Sequence, residues 1–339
     1  MNHDANLQEW REHALRMEQA LQRVILGQPR AIRLLLIAVF ARGHVLLEGD
    51  VGVGKTTLLQ ALARVLGGAF NRVEGTVELL PNDLLYHAFI DESGRPRVEP
   101  GPLLRYGDKL AVFFFNEINR ARPQVHSLLL RVMAERSVSA FNRDYQFPNL
   151  LIFADRNRVE REETFELPSA ARDRFMLEIP ISLPEDPAVQ RELMLNPRFH
   201  DTEELLAELE PAQVDLIELA RVAHSIQRVI STTPELEQYA LRLWHATRQP
   251  HEYGVQVDDA DSEQLVLAGM SPRGVSMLLR AARVSAWLAG RSTVHPEDIH
   301  GVFREAVGHR IFLAPVYELR RAQLIGQLIR QILERVGAP

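Results

Sequence analysis

An α/β domain with a parallel sheet, followed by an all-helical domain, is the architecture this sequence predicts. Short, fully apolar runs at Val45–Leu47, Leu110–Phe115 and Leu150–Ala154 alternate with segments of helical period. Strands that are apolar on both faces are what a parallel sheet covered by helices requires. Directly after the first run comes Gly49-Asp50-Val51-Gly52-Val53-Gly54-Lys55-Thr56, a P-loop pattern in its strand-to-helix setting. Beyond Ile181 the apolar runs cease and amphipathic helical patterns take over. The 339 residues suit two domains, placed at 1–183 and 184–339.

The elements follow in order. Leu7, Leu15, Met17, Leu21, Val24 and Ile25 give a helix over 7–26, and Arg30 to Ala41 a second. After the strand Val45–Leu47 and its loop, Leu58, Leu59, Leu62, Val65 and Leu66 recur at helical spacing until Gly67-Gly68 stops them. Leu110–Phe115 and Leu150–Ala154 are the next strands, and Met176–Ile181, interrupted by Glu178, is a weaker one. Ser182-Leu183-Pro184-Glu185-Asp186-Pro187 reads as a hinge. Helices are then expected at Leu205–Leu209, Val214–Val229, Pro234–Thr247 and Val275–Leu288. A C-terminal helix carries the stripe Leu324, Ile325, Leu328, Ile329, Ile332, Leu333 and Val336.

Composition excludes several classes. With no cysteine there is no disulfide, thiol nucleophile or cysteine metal centre. With 39 basic against 45 acidic side chains, a formal charge of −6, a protein held on nucleic acid by a basic surface is disfavoured. The 12 histidines show no i, i+4 pair with a carboxylate partner, so no metal centre is expected from them. The N-terminus is polar and lacks an apolar h-region, so no signal peptide is expected. The apolar run Leu34–Ala41 is far short of the ~20 residues of a membrane span. The expectation is a soluble, cytoplasmic protein.

Lys55 and Lys109 are the two lysines among 39 basic residues, so a motif that demands lysine at one position is not a by-product of composition. The chemistry explains the spacing. Gly49, Gly52 and Gly54 let the backbone curl so that its N–H groups, with those of Val53 and Thr57, point at phosphate oxygens. The helix that starts there adds its positive dipole end. Lys55 reaches the β- and γ-phosphates, and the Thr56 hydroxyl reaches Mg²⁺. Hydrolysis also needs a carboxylate at the end of a neighbouring strand, and Leu110–Phe115 ends in Asn116-Glu117. Glu117 suits activation of the attacking water. Asn116 can hold a metal-bound water but brings no charge to Mg²⁺, so weaker metal binding and slow turnover are expected.

These segments, in this order, resemble a MoxR-type AAA+ ATPase over most of the chain. Gly27-Gln28 and Gly43-His44-Val45-Leu46-Leu47-Glu48-Gly49 resemble the family's approach to its P-loop. Asn116-Glu117-Ile118-Asn119-Arg120-Ala121 resembles its Asp-Glu-Ile-Asn-Arg-Ala, and 167–175 resembles its Leu-Pro-Glu-Ala-Gln-Leu-Asp-Arg-Phe. Ser271-Pro272-Arg273, Val294–Ile299 and His309-Arg310-Ile311 follow. The resemblance implies an AAA+ core with a five-stranded parallel sheet and an all-α lid. It implies that Asn157 is the sensor-1 residue near the γ-phosphate, although only Ala154 and Asn157 survive of the family's Ala-Thr-Gln-Asn-Pro. It implies that Arg174 is the arginine finger, with Arg172 its nearest competitor. It implies that Arg273 is sensor 2, over the phosphates, and that Gly27 and Gln28 pack against adenine. Departures are Asn116, Asp50 and Val51 in the loop, and Ser169 and Ala171 beside the finger.

The function so implied is a ring-forming homo-oligomer, a hexamer, that binds ATP or ADP with Mg²⁺ and hydrolyses ATP. Its work would be chaperone-like maturation of a partner with a von Willebrand factor A domain. The alternatives weighed are a nucleotide-dependent scaffold with little turnover, a DNA-remodelling motor, which the acidic balance disfavours, and a small-molecule kinase, which the helical half and Arg174 disfavour.

Overall fold

The computed structural model describes residues 2–50, 52–156, 165–210 and 216–339, with side chains from residue 6 onward. Five strands form one sheet: β1 (His44–Glu48), β2 (Ala69–Glu74), β3 (Leu110–Asn116), β4 (Leu151–Arg156) and β5 (Phe175–Pro180). Their spatial order is β2-β3-β4-β1-β5, and every neighbouring pair is parallel. All five strands therefore begin at one edge of the sheet and end at the other. At about 3.3 Å per residue the two edges stand roughly 17–20 Å apart.

The apolar runs at 45–47, 110–115 and 150–154 are β1, β3 and β4, buried from both faces. Phe113 and Phe115 of β3 join the cluster formed with the helix Pro123–Glu135, while Phe114 joins the cluster formed with the helices Pro29–Phe40 and Lys55–Leu66. Met176–Ile181 is β5, shifted by one residue, and its Glu178 is met by Arg156 of β4, Nη2 to Oε1 2.6 Å. The fifth strand, β2, corresponds to no apolar run. It is an edge strand, Ala-Phe-Asn-Arg-Val-Glu, and none of its residues is fully buried. Three antiparallel ribbons were also not expected: Tyr86–Ile90 with Pro96–Pro100, Ser137–Ala140 with Arg143–Gln146, and Val266–Ala268 with Phe312–Leu313.

After the Pro-rich segment 182–187 the described elements are helical apart from that last short ribbon; the helix expected at Val214–Val229 is described as Leu216–Val229, Val214 and Asp215 lying outside the described residues. The expected helix at 205–209 forms as Thr202–Ala207, and a further helix, Pro187–Leu195, precedes it. The helices Pro272–Leu288 and Pro296–Val307 pair with each other and pack on β5 and on Pro29–Phe40. The C-terminal helix Arg321–Arg335 buries Leu324, Leu328, Ile329 and Ile332 of its stripe. The first helix, Asn2–Val24, ties the halves together: the Trp287 indole donates to the Leu7 carbonyl (3.1 Å), and the Trp287 and Phe40 rings lie 4.9 Å apart. Among the described residues no helix is long and apolar enough to cross a membrane.

Candidate active site

The glycine-rich loop sits where β1 ends, between β4 and β5, the reversal of strand order at which open α/β sheets bind ligands. Gly52 and Gly54 have φ of +81° and +85°, a region open to glycine at no steric cost. A Cβ on Gly49 would lie 2.2 Å from the Ile181 carbonyl oxygen. Gly54 caps the helix Lys55–Leu66, so Lys55, Thr56 and Thr57 stand on its first turn, where unpaired N–H groups face an incoming anion. Val53 packs partly into the core; Val51 lies outside the described residues.

The Lys55 ammonium is buried and fully engaged. It donates to the carbonyls of Gly49 (2.6 Å) and Asp50 (3.2 Å) and pairs with Asp155 Oδ2 at 2.8 Å. Asp155, 1% exposed at the end of β4, also accepts the Glu117 backbone N–H on Oδ1 at 2.5 Å. Burial pushes the Asp155 carboxyl up from its ordinary value, and the bonds from Lys55 and the Glu117 amide hold it down. The reading of the sequence missed this residue as a site group. The signal was present: a carboxylate at the end of an unbroken apolar run, the same shape as Asn116-Glu117.

Glu117 adopts a left-handed backbone, φ +53°, and its Oε2 accepts from Arg120 Nη1 at 2.8 Å. Asn116 turns toward the edge strand, its Nδ2 donating to Glu74 Oε1 at 2.6 Å. Phe115 pairs with Ala154, so Asn116 and Asp155 follow side by side on adjacent strands. Asn157, the expected sensor-1 residue, lies outside the described residues.

At the same edge a small cavity of about 90 Å³ is lined by Gly27, Gln28, Pro29, Leu34, Ile179 and Pro180. Gly27 has φ +72°, and Pro184 fills the place a Cβ would take. Gln28 Nε2 donates to the Ser182 carbonyl. Gly27 and Gln28 are thus brought to the loop's edge.

Arg174 and Arg273 are not. Arg174 immediately precedes β5, at the edge where strands begin, and both residues line a cavity of about 510 Å³ with Arg42, Arg136 and Arg280. Arg273 thus lies at the edge where strands begin and not over the phosphate loop of its own chain. The physical reason is the anchor of its helix. Ser271 Oγ donates to Asp173 Oδ1 at 2.6 Å, and Arg273 Nη1 pairs with Asp173 Oδ2 at 3.1 Å, fixing the helix start beside the start of β5. The buried Arg310 holds the same carboxylate at 3.3 Å. Arg172 turns elsewhere, its guanidinium 4.3 Å from the Phe312 ring centroid.

The donors of Arg42, Arg136 and Arg280 go to backbone carbonyls. Arg42 reaches Pro148, Arg136 reaches Leu150 (2.8 Å) and Arg42 (3.1 Å), and Arg280 reaches Ala41. Burial lowers all three. Arg136, repelled also by Arg42 and Arg280, falls to about 10.

Known proteins share the fold. Residues 44–177 match the family model for ATPases associated with various cellular activities (AAA), and 259–332 match the AAA lid domain. Protein MoxR of Methylorubrum extorquens is 59% identical over 99% of this chain and 98% of its own length, and Protein MoxR of Paracoccus denitrificans 52% over 99% of each. The chain belongs to the MoxR family of AAA+ ATPases. A third MoxR relative, Chaperone MoxR1 of Mycobacterium tuberculosis, is 33% identical over 94% of this chain and 80% of its own. The crystal structure of a candidate ATPase from Cytophaga hutchinsonii superposes with a TM-score of 0.85 at 29% identity, covering 99% and 98% of the two chains. The five-stranded P-loop core with its helical lid is therefore the MoxR-family AAA+ fold.

Proposed function

We propose that this chain works as a ring-forming homo-oligomer, a hexamer, in which each ATP site is completed by two copies, and that it uses ATP hydrolysis to remodel a partner protein. One observation carries the reading. Lys55 stands where the strands end and Arg174 where they begin, about 17–20 Å apart along the sheet. A γ-phosphate held by Lys55 of one copy is within reach of an arginine finger only if a second copy supplies it. Arg273 shares the cavity with Arg174, so both guanidiniums act on the neighbour's nucleotide.

Within each site the backbone of Gly49, Gly52, Val53 and Gly54 cradles the phosphates, and Lys55 leaves Asp155 to bind them. Gly27 and Gln28 face the base. Glu117 orients the attacking water, with Asn157 near the γ-phosphate. The oxygen donors at this edge, Thr56 and the neighbouring carboxylates, fit Mg²⁺, a hard cation that takes few protein ligands and keeps water. Bound with the nucleotide, Mg²⁺ would neutralise charge on the β- and γ-phosphates. Asn116, its amide nitrogen given to Glu74, offers Oδ1 to a metal-bound water. The Mycobacterium tuberculosis relative is named a chaperone, which supports the same role here. A partner with a von Willebrand factor A domain is the one the family resemblance implies, and the acidic balance supports a protein rather than nucleic acid.

Subunit mixing tests the shared site. Arg174→Ala and Glu117→Gln chains are each expected to be inactive, and their mixtures to regain turnover at interfaces that pair an intact Glu117 with an intact Arg174. No recovery at any ratio overturns the two-copy site. A second reading, a scaffold that binds nucleotide with little turnover, is favoured by the uncharged Asn116. Phosphate release near zero from the assembled protein would select it.

A further inference from the structure

Asn116 leaves the end of β3 without the charge that the family places there, yet this edge of the sheet does not lack a carboxylate. Asp155 stands one strand over, beside Asn116 across the β3–β4 ladder and beside Leu47 across β4–β1. The family motif resembled here has threonine at that position. We propose that Asp155 is the carboxylate that supports nucleotide-bound Mg²⁺ in this chain, in place of residue 116. The proposal rests on the reading of the Lys55 loop as a nucleotide site.

The charges in the site lead there. Asp155 is buried, and burying an unpaired carboxylate costs more than a surface contact returns. The cation in contact with it is Lys55, the side chain that nucleotide binding draws away to the phosphates. Asp155 Oδ2 then loses its counter-charge inside the protein, and a divalent cation carried in with the nucleotide restores it. Oδ1 keeps the Glu117 amide throughout, so the carboxylate stays aimed while its partner changes. Mg²⁺ retains water and takes one or two carboxylates in such sites, a demand Asp155 meets without a cluster of acids. The same amide bond joins the metal-supporting group to the backbone of Glu117, the residue that orients water. The two departures, Asn116 and Asp155, thus compensate: one negative charge has crossed one rung of the sheet.

The test is calorimetric titration of the full chain with ADP, in Mg²⁺ and in EDTA. Wild type, Asp155→Asn, Asn116→Asp and the double variant Asn116→Asp/Asp155→Asn are compared. Wild type should bind ADP more tightly with Mg²⁺. Asp155→Asn should lose about ten- to a hundredfold of that gain while still binding in EDTA, because the loop and Lys55 remain. The double variant should recover the gain, since the carboxylate returns on the adjacent strand. Mn²⁺ titration in ADP, followed by electron paramagnetic resonance, should rank the variants in the same order. If Asp155→Asn does not fold, Asp155→Thr carries the same comparison. A full Mg²⁺ gain in Asp155→Asn, or a double variant no better than it, overturns the assignment alone. Failure of wild type to bind ADP in either buffer overturns the nucleotide reading and the assignment with it.

Discussion

Where the strands end, Lys55 is matched by Asp155 at 2.8 Å and by two loop carbonyls. Where they begin, Arg42, Arg136 and Arg280 face one another, and among the described residues none of the three is paired with a carboxylate. The first edge is balanced within one chain and changes partners when an anion arrives. The second holds guanidiniums lowered by burial, Arg136 and Arg280 also by repulsion from their neighbours, with Arg174 and Arg273 alongside. A site that is balanced alone can bind ligand alone. A surplus of one sign at the far edge calls for negative charge from outside the chain, and in the proposed two-copy site a neighbour's triphosphate would bring it.

Four experiments put the two edges to the test. The largest effect is expected from Lys55→Ala, which should reduce turnover to background and weaken ADP binding by about a hundredfold, the loss of about 3 kcal/mol of charge-assisted bonding. It should also lower the melting temperature, because Asp155 is left buried and unpaired. Unchanged ATPase activity would remove the balanced edge from the chemistry. Next, Arg174→Ala should cut turnover about a thousandfold and leave ADP affinity at the wild-type value. A parallel loss of ADP affinity would place Arg174 in the chain's own binding site and erase the contrast.

The third concerns acid. His44, buried at the arginine edge, accepts the Ile152 N–H on Nδ1 (2.9 Å) and donates from Nε2 to the Met133 carbonyl (3.2 Å). Burial, with Arg136 nearby, lowers it from 6.5 to about 3. The unfolded chain therefore takes up this proton first. The stabilisation is complete above about pH 6.5 and is lost as pH falls toward 3, at about 1.4 kcal/mol per pH unit. Buried His309 and His126 are lowered too and act in the same direction. Denaturant midpoints at pH 7.5 and 5.5 should show the drop, and His44→Gln should flatten it; an equal slope in that variant would assign the drop elsewhere. The smallest effect is expected from inorganic phosphate added to Lys55→Ala protein, which should raise the melting temperature by about 2 °C. Adding Arg136→Gln should abolish that rise, and a rise that persists would locate the anion away from the arginine edge.

How much of this was legible follows from where each interaction is made. β1, β3 and β4 read directly because central parallel strands are apolar on both faces. β2 did not, since Asn71 and Arg72 of an edge strand break the run, and Glu178 blurred β5 because its partner Arg156 belongs to another strand. The loop Gly49–Thr56 was legible because its chemistry is local: spacing alone places the amides. The meeting of Arg174 with Arg273 was not, because it depends on Asp173 holding a helix that starts about a hundred residues later in the chain. Asp155 fell between these cases, its position visible at a strand end and its role hidden in a contact with Lys55, distant in sequence.

Asp173 is the joint between the two halves of the chain. It clasps Ser271, Arg273 and Arg310 from the helical half and is joined to Arg174 by one peptide bond. A tilt of the helices cannot leave the Arg174 backbone behind, since a single peptide bond separates it from the clasped residue. In the ring proposed above, the helical half and the Arg174 backbone would turn together, and rotation in one seat would be geared to the chemistry in the next.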